Sequence, residues 1–465
     1  MEQFSIRGLP QLLQASGRLD SLSRRVDKFS FYDKCNWVIT TIARKSYALK
    51  NSFDEDVNIH SAQLKKVLGT DYYSVVINTL VEFNLIEVNH IYSTNRFPKS
   101  YKLTPLASEK GIITDIVRNK QFEKRLNKLK EIEYKEIVKN PVFEKILYNT
   151  AQLYLLDEQF YFVEQLMPDR KYEEVNGYLN DISEPLNEFQ MKRYEDYYKG
   201  FRALNNTSTP LEVYKSPLCF KPTLSEYGRV YHIAAYIPKH IRTCMRTKDN
   251  ELLWEVDMSS AQLSLLVMEW LKELKSNNVI VNKEMREEIT LHLDLLDKGG
   301  FYQYIQDNSK VCSEMEYSLL KFNILKTLNQ KTYPSKLFKE LKRLFPHFIG
   351  FIVHKKVPNH EEVSHIGMRA ESSIFIDEYM ALPKEIFALP IHDCILVKEK
   401  NVKMVKERLI KRTKSNYKGI IPDSLDLQGL FKIDRVSLWD EQTFDYQMKE
   451  LYEETKDEDF LWGDV

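Results

Sequence analysis

Two short segments set an acid where a strand runs out. In Leu252-Leu-Trp-Glu-Val-Asp257-Met-Ser-Ser-Ala-Gln262 an apolar run ends on a carboxylate, and an amphipathic pattern begins within three residues. This predicts Asp257 at the carboxyl end of a strand, with Ser259 and Ser260 at the start of a helix. In Ile386–Lys398 two apolar runs flank His392-Asp393, which predicts a β-hairpin with the acid at or near its turn. Read singly, Asp257 is a helix cap and Asp393 a turn residue. Burying an unpaired carboxylate is costly, so two acids gathered at strand ends make chemical sense if they hold divalent cations. Paired carboxylates around two Mg²⁺ ions are apparatus for in-line phosphoryl transfer.

The charge around these acids is uneven. Lys+Arg and Asp+Glu are both 67 in the 465-residue chain, so net charge identifies no partner and only its distribution can. Residues 319–356 hold nine Lys/Arg and one acid, Glu340; residues 219–248 hold six Lys/Arg and one acid, Glu226. Two cationic stretches flanking Asp257 in sequence are what a nucleic-acid channel needs to displace counterions from phosphates. A solvated basic face is the plainer alternative.

With both acid segments in hand, the chain resembles the family of DNA polymerase I (family A) and the related single-subunit phage and mitochondrial RNA polymerases. Their first palm motif, D-x-S-x-x-E/Q, reads DMSSAQ here, and their closing H-D hairpin reads HDC. Ser225-Glu-Tyr-Gly228-Arg229 is similar to the family's T-x-G-R element, and Ile237–Arg242 to the segment before the first palm motif. Lys321–Tyr333 is similar to the fingers helix, and Leu344-Phe-Pro-His-Phe348 echoes the Y/F-P segment. The resemblance spans about residues 220–400.

The resemblance implies a right-hand polymerase of palm, fingers and thumb-like helices, with Asp257 and Asp393 chelating two Mg²⁺ ions, for which Mn²⁺ could substitute. Lys326 would meet the incoming phosphates, assisted by Lys321. Tyr333 would stack near the templating position, and Gln262 would sit at the sugar. Arg229, Lys239, Arg242 and His392 would grip a DNA template and primer. The match has departures. Lys321 to Lys326 is one residue longer than the family spacing, and Gln330-Lys331 and Tyr333-Pro334 replace the Phe-Gly and Tyr-Gly pairs. Gln262 stands where bacterial DNA polymerases carry Glu, so the choice between dNTP and NTP stays open. Cys394 stands where Glu is common, leaving one carboxylate fewer. DNA synthesis leads; an RNA polymerase or primase on the same palm, and a non-catalytic replication initiator on a degenerate scaffold, are the rivals.

These acids need a scaffold, and the patterning predicts a helix-rich α+β chain. Residues 31–50 read as an amphipathic helix, 61–68 as a short one ended by Gly69, and YYSVVINTLVEFN as its successor; LIEVNHIYS and KSYKLT read as strands about a turn. This order resembles a winged helix over residues 1–115, with Tyr72, Tyr73, Ser74 and Asn78 toward a groove and Asn95, Arg96 and Lys99 on the wing. A protein-binding module is the alternative. A helical thumb-like stretch is expected over 116–210, palm and fingers over 211–439, and an acidic tail over 440–465, where ten acids face two lysines. That tail would be a solvated end, would dock on a protein partner, or would fold back on the basic channel.

Much else is excluded. Only 14 glycines are present and no G-x-G-x-x-G, Walker, H-E-x-x-H or G-x-S-x-G pattern occurs, against Rossmann, P-loop, zincin and α/β-hydrolase chemistry. No apolar run reaches about 18 residues, so no membrane span is expected. Five scattered cysteines without CxxC suit a reducing, cytoplasmic setting.

Overall fold

The structure, a computed structural model, describes residues 2–17, 27–50, 56–89, 99–156, 204–205, 207–216, 221–237, 239–331, 335–357 and 359–437. Arg96, Asn95, Tyr333 and the acidic segment 440–465 lie outside the described residues. The chain is a helix-rich α+β protein that divides into two compact units, residues 1–151 with 199–221, and residues 152–198 with 222–465. The expected boundaries at 115 and 210 both fall inside the first unit. No helix among the described residues is long and apolar enough to cross a membrane.

The first unit opens with β1 (Glu2–Ile6), α1 (Leu9–Ala15) and α2 (Lys28–Lys50). Phe31, Cys35, Val38, Ile39 and Ile42 are all fully buried, the three-or-four spacing that turns one helical face to a core. β2 (Val57–Asn58), α3 (Ser61–Leu68), α4 (Thr70–Glu82), β3 (Ile86–Asn89) and β4 (Ser100–Leu103) follow, and the strands form an antiparallel sheet in the order β2-β4-β3. Gly69 breaks α3 from α4 at φ +91°, a conformation that a Cβ would strain. After α5 (Pro105–Lys110), β5 (Ile112–Ile116) returns to pair antiparallel with β1.

Next come α6 (Lys120–Ile137) and α7 (Pro141–Thr150), both capped by asparagine: Asn119 accepts from the Phe122 N–H at 2.8 Å and Asn140 from the Val142 N–H at 2.9 Å. α8 (Pro210–Lys215) starts on a reciprocal capping box between Thr209 and Glu212 and packs on α6 and α7.

In the second unit β6 (Leu153–Leu155) pairs with β9 (Met245–Thr247), and β7 (Thr223–Leu224) with β8 (Val230–Tyr231); two one-turn helices, α9 (Ile233–Tyr236) and α10 (Lys239–Arg242), precede β9. β10 (Leu253–Met258) then leads into α11 (Ala261–Ser276). Helices α12 (Lys283–Lys298), α13 (Phe301–Asn308), α14 (Tyr317–Asn329), α15 (Lys336–Leu344), α16 (Pro346–Lys356) and α17 (Glu362–Ala381) follow. The chain returns through β11 (Ala388–Ile391), β12 (Cys394–Lys398), α18 (Val402–Asn416) and β13 (Phe431–Arg435).

The four long strands make one antiparallel sheet in the order β11-β12-β10-β13. α17 packs on β11 and β12, and α18 on β10 and β13; α17 also touches α11, α14 and α16. Leu389, Ile395, Val397 and Val256 are wholly buried in that layer. The Leu344–Phe348 segment is anchored from a distance: the Glu288 carboxylate of α12 accepts from the His347 and Phe348 N–H groups at 2.9 and 2.8 Å, just behind Pro346 at the first turn of α16.

Candidate functional site

Asp257 sits one residue before the end of β10 and pairs in register with Cys394 on one side and Lys432 on the other. The two-residue turn His392-Asp393 joins β11 to β12, and the Met258 N–H donates to the Asp393 carbonyl at 3.1 Å. The two acids predicted from separate segments are therefore neighbours at one end of the sheet. On the other flank the Ser259 N–H donates to the Leu430 carbonyl at 2.7 Å, so the chain leaving β10 is gripped from both sides.

Left-handed backbone occurs at two non-glycine residues beside these acids, Ser260 at φ 51° and His392 at φ 53°. Each costs about 1–3 kcal/mol and persists only where the surroundings enforce it, a pattern common at functional sites. At Ser260 the chain reverses from β10 into α11; at His392 the left-handed first position meets the demand of a two-residue hairpin.

The electrostatics follow from packing acids together. Asp257 is pushed up to about 7, first by burial and then by the charges of Asp393 and Glu255, with Lys321 pulling the other way. Among the described residues neither Asp257 nor Asp393 forms an ion pair. Glu255 shares the face of Asp257 because strand residues two apart point the same way. Asp434 stands opposite Glu255 on β13 and adds to the same negative field. Sequence reasoning gave neither a role: the period of two was the available signal for Glu255, whereas nothing local marks Asp434. Cys394 contributes no thiolate, since burial and the surrounding acids drive its thiol well above the usual range.

No group of three or more His, Cys, Asp or Glu side chains among the described residues is arranged to hold a metal. Two carboxylates remain as donors. That set fits Mg²⁺, which commonly takes one or two carboxylates and fills its other positions with water and substrate phosphate.

The cationic candidates divide. Lys321 and Lys326 are both exposed on α14; the Lys326 ammonium lies 5.9 Å from the Phe322 ring centre. Lys321 is close enough for its charge to act on Asp257. Arg242 stands near the hairpin, where its charge helps hold the His392 imidazole below its usual range after burial and Arg229. Lys239 reaches Glu255 at 3.6 Å. Arg229 is clamped by Glu371 of α17 through two bonds of 2.7 and 2.5 Å. Gly228 precedes it at φ +84°, and a Cβ there would come within 2.9 Å of Ser372.

Gln262 forms a reciprocal amide pair with Asn329 at the end of α14: Nε2 donates to Asn329 Oδ1 at 2.6 Å, and Asn329 Nδ2 donates back at 3.1 Å. One further residue supports the hairpin unseen. His232 is fully buried with Nε2 2.7 Å from the Pro390 carbonyl, and burial drives its imidazole down to about 4. Both Glu371 and His232 contact residues about 150 positions away in sequence, which no local pattern reveals.

A cavity of about 730 Å³ lies elsewhere, lined by Lys272, Glu273, Phe351, His354, Lys355 and Arg369 among others, and includes neither acid. Its charges largely pair, Lys355 with Glu273 and Arg369 with Glu362, both at 2.5 Å.

In the first unit Ser74 and Asn78 are exposed on α4, together with Asp71, Val81 and Glu82. Tyr72 and Tyr73 turn into the packing: the Lys34 ammonium lies 3.2 Å from the centre of the Tyr72 ring, and the Tyr73 hydroxyl is 3.2 Å from that of Tyr101. Lys99 leads into β4, and its carbonyl accepts from the Ile59 N–H at 3.2 Å.

Comparison of the chain with models of known protein families and with curated proteins returned no match.

Proposed function

We propose that the second unit is the palm and fingers of a template-directed nucleotidyltransferase, a DNA-directed DNA polymerase of the family A type. The observation that carries this reading is the register that brings Asp257 and Asp393 together at one end of a four-stranded antiparallel sheet, with no ion pair to either among the described residues. Lys321 beside them and the exposed Lys326 on the same helix support it.

In this reading Asp257 and Asp393 would hold Mg²⁺, which when bound lowers the pKa of a primer 3′-hydroxyl and offsets charge on the triphosphate. The protein's own work is positioning and electrostatics. Asp257 must be ionised to bind a cation, and its crowding by Asp393 and Glu255 makes the site avid for positive charge. Lys326 and Lys321 receive the triphosphate from α14. Gln262, held by Asn329, defines the sugar position with an amide instead of a carboxylate, so ribonucleotide use is tested beside deoxynucleotide use. Arg229 and Arg242 approach the primer–template backbone. The first unit, with its helix–strand–helix–helix–strand–strand order, would be a winged-helix module that binds duplex DNA.

Primer extension on DNA and RNA templates, with dNTPs and then NTPs, tests the proposal. Incorporation that depends on template sequence and divalent cation, and is abolished by Asp257→Asn, is the expected result. Normal extension by that variant would remove the palm assignment.

A further inference from the structure

The first unit has one face where cations gather without ion-pair partners among the described residues. Lys120, Lys124 and Lys128 recur every four residues on the exposed side of α6, with Arg125 beside them; Lys65 and Lys66 are exposed at the end of α3. The two helices are joined: the Arg125 guanidinium donates to the Lys66 carbonyl at 2.7 Å. Phe122 and Leu126, on the opposite face of α6, pack with Val67 of α3 and Trp37 of α2. The entry to α6 is fixed as well, since buried Asp33 of α2 accepts from the Arg118 and Asn119 N–H groups at 3.0 and 2.7 Å. The stripe is therefore presented on a rigid support.

None of these six cations forms an ion pair among the described residues. The rest of α6 differs. From 131 to 139 three glutamates meet two lysines, with Lys139 paired to Glu136 and Glu131 paired to Lys215. From 118 to 130 six cations meet only Glu123. Buried Lys34 feels this excess: burial foremost, then the charge of Arg125, lowers its ammonium to about 8. The face predicted to enter a groove has the reverse character, for exposed α4 carries Asp71 and Glu82 and no cation.

We infer that the α3–α6 face, rather than the exposed face of α4, is the surface of this unit that grips duplex DNA through its phosphates. Lys120 to Lys128 spans about 12 Å of helix, a length in which a duplex carries about seven phosphates. No large apolar side chain is exposed between these cations, which favours a phosphodiester backbone over a lipid surface that would take apolar insertions.

The test uses the full chain with Lys120→Gln, Lys124→Gln and Lys128→Gln combined, and a blunt duplex followed by fluorescence anisotropy between about 50 and 200 mM salt. The expected result is a salt slope shallower by about 2–3, with affinity at low salt reduced at least about tenfold and an unchanged melting curve. Ser74→Ala with Asn78→Ala should change affinity by less than about threefold. Unchanged affinity and slope in the triple variant would overturn the inference. So would loss, in that variant, of binding to phosphatidylglycerol–phosphatidylcholine vesicles with duplex binding intact. Because binding alone is read, failure of the nucleotidyl-transfer reading would leave this result standing.

Discussion

Among the described residues, Asp257 and Asp393 of the second unit share a sheet end with Glu255 and Asp434 and have no ion pair, whereas in the first unit Lys120, Lys124 and Lys128 line a helix face without one. Asp257 is packed among the acids, and burial foremost opposes its ionisation; the lysines stand in solvent. Burial separates the two cases. A half-buried cluster of like charge is costly unless a counter-charge arrives, which is the ground for proposing a cation there. An exposed cluster costs little and commits only to a polyanion of sufficient charge density. In the functions proposed above, the first kind serves chemistry at a point and the second grip along a length.

The strongest way to break this contrast is to neutralise one acid. Asp257→Asn or Asp393→Asn should each lower nucleotide incorporation by about 1,000-fold or more, roughly 4 kcal/mol in the barrier. Duplex binding measured by gel shift should stay within about twofold. If incorporation survives, the acids are a structural cluster and the comparison collapses.

Acid should separate the units next. His232 has its folded value depressed to about 4 against an ordinary value near 6.5, so it contributes stability above about 6.5 that is lost as pH falls toward 4, about 3 kcal/mol in all. In the first unit Asp33 is raised by burial, so its contribution is present at low pH and lost as pH rises through its folded value. Amide exchange at pH 7 and at pH 4.5 should therefore show the His392-Asp393 hairpin losing protection before α2 does. His232→Gln should flatten that dependence in the hairpin; equal loss in both units would remove the distinction.

Within the second unit, Lys326→Ala should reduce kcat/KM for nucleotide by about tenfold, some 1.4 kcal/mol, and leave template affinity nearly unchanged. A change confined to salt-sensitive template binding would place Lys326 with the gripping lysines instead. The smallest effect is expected at Gln262. In Gln262→Glu a carboxylate can still accept from Asn329 but cannot donate to it, so half of the amide pair is lost. Discrimination should shift toward dNTPs by about three- to tenfold in competitive incorporation, and an unchanged ratio would show that this position does not read the sugar.

The local elements were legible. The helix carrying Lys321 and Lys326 was expected only from the family resemblance, while apolar runs with punctuation located β10, the β11–β12 hairpin and the Gly69 break between α3 and α4. Each is decided by residues within a dozen positions, where periodicity and backbone preference act directly. The partners of those residues were not legible. Nothing local announced that Glu371 would hold Arg229, or that Tyr72 and Tyr73, expected at a groove, would pack within their own unit.

The sequence by itself determined that two acids end strands, that helix exceeds sheet, and that basic residues cluster in particular stretches, because composition and period are properties of a local chain. Only the tertiary structure decided that β10 lies between β12 and β13, and with that order came the pairing of Asp257 with the hairpin turn and the approach of Asp434 from the far side. It also decided which lysines stand in solvent beside one another: α3 and α6 are separated by some fifty residues and meet through Val67, Phe122 and Leu126. The physical reason is common to both. Charge acts through space, and the distances that set its strength are fixed by packing between segments that carry no record of one another in their own periodicity.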